Sequence, residues 1–61
     1  MIFIIYRVIS DPYTGEVDRI EIMDTETNED EIKGLVRLYT LQIPMDLKNV
    51  IQIKSVAVRV I

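Results

Sequence analysis

The stretch Ile2-Phe3-Ile4-Ile5-Tyr6-Arg7-Val8-Ile9 constrains the fold more than any other part of the chain. It is rich in β-branched and aromatic residues, and apart from Arg7 both of its alternating sets of side chains are apolar. Successive strand residues point to opposite faces of a sheet, so a strand of this kind needs cover on both sides. It belongs in the middle of a sheet.

The chain that must supply this cover is short. Its 61 residues make one domain, spanning 1–61, of a size that buries only about 60% of its unfolded surface. There is no cysteine and no histidine. Disulfides and thiolate zinc sites are therefore excluded, and the commonest metal ligand and general base are missing. A hydrophobic fraction of 49% beside a charged fraction of 28% marks an ordered globular chain. With no cofactor or metal expected, a second copy is the remaining way to brace so small a core. The apolar opening is broken at Arg7, with no long apolar run and no small-residue cleavage site. It reads as neither signal peptide nor membrane span, and the expected location is cytoplasmic.

The pattern after the first strand gives the architecture. Asp11, Pro12 and Gly15 supply turn chemistry for a hairpin loop. Residues 17–24 return with the alternation of a half-exposed edge strand. Pairing Val8 with Ile20 sets Tyr6 opposite Ile22 and Arg7 opposite Glu21, with Pro12–Glu16 as the loop; a slip of two residues sets Arg7 against Arg19, which like charges disfavour. Ile32, Leu35, Val36 and Tyr39 then recur at helical spacing behind Thr27 and Asn28, either of which can cap a helix. The spacing predicts a helix over about 28–40, although Gly34 and the alternation Leu35, Arg37, Tyr39, Leu41 leave 35–43 readable as a strand. Pro44 ends the element, 45–49 connects with room for one helical turn, and a last strand runs over 50–61. Its apolar phase changes at Lys54-Ser55, which suggests a bulge there.

The order β-β-α-β gives an α+β fold: a small two-layer sandwich with a three-stranded, mainly antiparallel sheet and one helix on one face. Taking even-numbered strand positions as the helix-facing set places Ile2, Ile4, Tyr6, Val8, Ile20, Ile22, Val56, Val58 and Val60 in the core. The opposite face then carries Phe3, Ile5, Ile9, Val17, Met23, Ala57 and Ile61. So much apolar surface on a small chain points to a protein interface, most simply a two-fold homodimer. The competing expectation is that residues 40–50 fold back and cover that face.

Charge divides along the chain. Residues 1–31 hold two bases and nine acids, whereas 32–61 hold five bases and one acid, so the balances are −7 and +4. Glu26, Glu29, Asp30 and Glu31 form a candidate acidic patch for a basic partner. Asp24, Glu26, Asn28 and Asp30 alternate like a calcium loop but lack its sixth-position glycine and twelfth-position glutamate. Lys33, Arg37, Lys48, Lys54 and Arg59, with Tyr39 as a stacking platform, are the positions a nucleic acid would use, but they are scattered.

Ser10 and Ser55 have no histidine or cysteine to activate them, and no glycine-rich phosphate loop is present. The chain thus reads as a non-enzyme without a small-molecule substrate. The leading expectation is a protein-interaction domain, a homodimer, that regulates or inhibits a larger protein. The alternatives are a nucleic-acid-binding regulator and an accessory subunit that adds its last strand to another sheet. No motif is specific enough to assign a family.

Overall fold

A computed structural model describes all of residues 1–61. Its elements are β1 (Ile2–Ser10), β2 (Val17–Glu26), α1 (Glu29–Leu41), a single 3-10 turn at Met45–Leu47, and β3 (Ile51–Val58). The sheet has the order β2-β1-β3 with both pairs antiparallel, and one helix lies on it. The fold class is the expected α+β arrangement with its doubly apolar strand in the centre.

Local chemistry accounts for each element. In the hairpin loop the Asp11 carboxylate accepts from the N–H groups of Tyr13 at 2.7 Å and Thr14 at 3.2 Å. Gly15 then takes the positive φ of 75° that closes the turn. Tyr6 pairs with Ile22, Arg7 with Glu21 and Val8 with Ile20, the register that charge favours. Asn28 caps α1, its side chain accepting from Asp30 N–H at 3.0 Å, and Glu29, Asp30 and Glu31 occupy the first turn where the helix dipole favours anions. Residues 35–41 are helix, so the strand alternative for that segment is excluded.

Two features of the strands differ from expectation. β3 pairs with β1 from Ile51–Ile9 to Val58–Ile2 without a register shift, so Lys54-Ser55 is not a bulge. The irregularities fall in β2 instead, where Met23 and Asp18 are each an extra residue against β1. Bulges concentrate on edge strands, whose second side is free to bend. The last strand also stops at Val58 rather than running to 61, because Val58 pairs with Ile2 and β1 offers Arg59, Val60 and Ile61 no partner.

The helix covers the odd-numbered face of β1, which reverses the expected core. Ile5 is 0% exposed and Ile32 on the helix 8%, and these two are the only buried side chains. Leu35, Val36 and Tyr39 complete the inner stripe of α1 and are half-buried. The reason is stereochemical rather than hydrophobic. Ser10 N–H donates to Val50 O at 2.7 Å, so the even-numbered peptide groups of β1 turn toward β3 and the odd-numbered ones toward β2. Given that orientation, a right-handed passage from β2 through α1 to the parallel β3 runs over the odd-numbered side. An apolar pattern on both faces of β1 could not have made that choice.

Candidate functional site

The reversal leaves the even-numbered face open, and it is the more apolar of the two. Cross-strand partners share a face, so the rows on this side follow from the register. Ile4 lies between Thr25 and Val56, Tyr6 between Ile22 and Lys54, and Val8 between Ile20 and Gln52, with Ile2 beside Val58 and Ser10 beside Val17 at the ends. Lys54 is the one charged residue in these rows. Ile22 is 70% exposed and Ile20 59%, which for large apolar residues in the body of a strand means that nothing stands over them. Residues 40–50 do not fold back across this side. Gln42, Ile43 and Pro44 instead line a cleft with Arg7, Met23, Tyr39, Ile51 and Ile53 on the helix side.

The candidate interface residues are thus redistributed. Ile5 is the centre of the core, while Phe3, Ile9 and Met23 are half-buried on the helix side of the sheet. Ala57 shares that side as the partner of Phe3 but is exposed near its end, and Ile61 lies exposed beyond β3. Val17 alone of the seven sits on the open face. Ile20, Ile22, Val56, Val58 and Val60, expected in the core, are exposed instead, Val60 beyond the end of β3. The handedness of the β2-α1-β3 connection was the signal that could have located them.

The helix-side cleft measures about 130 Å³, well short of the roughly 300 Å³ at which small-molecule sites begin. Its charges are already engaged. Arg7 donates through Nε to Glu21 Oε1 at 3.0 Å and pairs with the same oxygen through its terminal nitrogen, and Arg19 Nε lies 3.7 Å from it. The Tyr39 hydroxyl donates to Asp24 Oδ2 at 2.9 Å. That bond, then desolvation and the charge of Asp24, hold the Tyr39 phenol above its ordinary pKa of 10.0.

The acidic patch is assembled only in part. Glu29, Asp30 and Glu31 stand together and exposed on the first turn of α1. Glu26 is committed to the turn, accepting from Thr27 and Asn28 N–H groups at 2.9 Å each. No group of three or more acidic side chains is arranged to hold a metal ion. The bases are dispersed: Lys33 and Arg37 lie on the helix, Lys54 on the opposite side of the sheet, Lys48 in the connection and Arg59 past the last strand. No helix is long and apolar enough to cross a membrane.

These features define a class, a single open sheet backed by one helix on one side only. No protein-family model, curated protein or solved structure matches the chain.

Proposed function

We propose that this chain is a small non-catalytic interaction domain that binds a protein surface through its even-numbered sheet face and so regulates or inhibits a larger protein. The observation that carries the reading is the exposure of Ile20 and Ile22 beside Tyr6 and Val8 in a face with one charge. Burying each such aliphatic side chain is worth about 1.5–3 kcal/mol, and monomers rarely leave contiguous surface of this kind in water. The small cleft and the engaged charges around it also support binding over catalysis.

The test is comparative co-purification from the source cell. A protein recovered with the wild type, retained with Glu29→Gln plus Glu31→Gln, and lost with Ile20→Thr plus Ile22→Thr supports the reading. Threonine keeps the β-branch and so the strand. Recovery undiminished by the two threonines overturns it.

A second reading is favoured by the contrast between the two sheet edges. β2 carries Asp18, Arg19, Glu21, Asp24 and Glu26, whereas β3 carries only Lys54 in eight residues. Charged edges discourage strand addition, so β3 is the edge to which another protein's strand would add.

A further inference from the structure

We infer that the first occupant of the open face is a second copy of this chain, stacked sheet on sheet about a two-fold axis that runs along β1. The inference rests on the binding role proposed for that face and assigns it a partner.

Area is the first argument. The chain exposes 4922 Å², where a compact monomer of 7.1 kDa exposes roughly 4,100 Å². The excess is about 800 Å², part of it in the extended tail, and about 800 Å² is what each partner contributes to a stable interface of standard size. The shape agrees, for the molecule is a slab of 39 × 24 × 11 Å. Two such slabs meeting through their bare sheets, at the usual spacing of about 10 Å, make a four-layer body with both sheets inside.

Chemistry is the second. A stacked partner must be as apolar as the face it covers, because a charge brought opposite Ile20 or Ile22 loses its water without gaining a partner. The face itself carries no charge in any row except that of Lys54, and its other polar groups are the uncharged Gln52, Thr25 and Ser10 near its margins. Self-apposition therefore leaves only the two lysines to place, and they select the axis. An axis across the strands stacks β3 on β3 and can bring both ammonium groups together. An axis along β1 lays β3 of each copy over β2 of the other, so the lysines fall on opposite margins, each with its aliphatic stem over Ile22 of the second copy. They are then offset by about 10 Å in the sheet direction and by a similar distance between sheets, beyond a Debye length, and each stem can carry its charge out to water. Tyr6 then faces Tyr6 of the second copy at the centre.

Sedimentation equilibrium of the full chain, with Val8→Glu and Ser55→Pro compared against wild type, tests the assignment. Ser55 has its N–H directed away from β1, so proline there blocks strand addition at the β3 edge and spares the ladder. A wild-type dimer at micromolar concentration is expected, retained by Ser55→Pro and weakened at least about a hundredfold by Val8→Glu, which brings the carboxylates of the two copies face to face at the axis. The wild-type melting temperature should also rise with protein concentration, which reads dimerisation even if Val8→Glu does not fold. A dimer that survives Val8→Glu and is lost in Ser55→Pro overturns stacking in favour of edge pairing. A monomer with a concentration-independent melting temperature overturns the second copy, and the co-purification test then decides separately whether the face binds anything else.

Discussion

Tyr39 and Asp24, on helix and edge strand, are joined by a hydrogen bond of 2.9 Å from the phenol to the carboxylate. The bond exists because β2 is bulged. Without the extra residue Met23, strict alternation from Glu21 would turn Asp24 to the open face; with it, Asp24 stands opposite Ile5 on the helix side. One irregularity in an edge strand thus ties the helix to the sheet.

This contact makes stability depend on alkaline pH. The folded phenol has its pKa raised, chiefly by the bond to Asp24, so its contribution is complete below the ordinary value of 10.0 and is lost as pH climbs through the folded value. Urea unfolding of wild type and Tyr39→Phe from about pH 9 to about pH 11 should show the wild-type advantage shrinking as pH rises. A constant difference across that range shows that the phenol proton is not involved.

Arg7 and Glu21 offer a contrasting case of a polar pair on the same face. Each side chain is about a third exposed, at 34% and 38%, so solvent screens the attraction. Glu21→Ala should cost about 1 kcal/mol or less in chemical denaturation, with the cost shrinking in high salt. Arg19→Ala, whose nitrogen is 3.7 Å from the carboxylate, should be close to neutral.

Gly34 is the weak point of α1. A Cβ built there meets nothing within 4 Å, and the glycine has an ordinary helical backbone. Gly34→Ala should raise stability by about 1 kcal/mol, read as a higher denaturant midpoint at unchanged slope. Asn28→Ala should lower it by about 1 kcal/mol through loss of the cap to Asp30 N–H.

How much of this was legible in the sequence depends on whether a local rule or a global one decides each feature. The β1–β2 register followed from Arg7, Arg19 and Glu21, because only one alignment sets opposite charges face to face. The helix followed from Ile32, Leu35, Val36 and Tyr39 behind an Asn cap. Side choice did not follow, since Ile4 and Ile5 are equally apolar and hydropathy is blind between them. Topology decided it, through the hand of a connection that spans three strands. The bulge at Met23 was hidden for a related reason: what it gains, the approach of Asp24 to Tyr39, is a tertiary contact between residues that no periodicity relates. The open face was therefore anticipated as a property of the sheet and misplaced by one residue along the strands, except at Val17, where the extra residue Asp18 restores the parity.

Ile4 and Ile5, adjacent and chemically identical, should consequently respond in opposite ways to mutation. Ile5 is fully buried, and truncating a side chain so placed costs about 2–5 kcal/mol. A core with two buried side chains has no more than roughly 3–5 kcal/mol to lose, so Ile5→Ala should leave much of the chain unfolded at 25 °C by circular dichroism. Ile4 lies half-buried in the open face between Thr25 and Val56. Ile4→Ala should keep the fold at high protein concentration and act on association, moving the sedimentation profile toward monomer and lowering the melting temperature most in dilute solution. If instead Ile4→Ala unfolds the chain at every concentration while Ile5→Ala is tolerated, the helix covers the even-numbered side. The binding face would then have to be sought among Phe3, Ile9 and Met23.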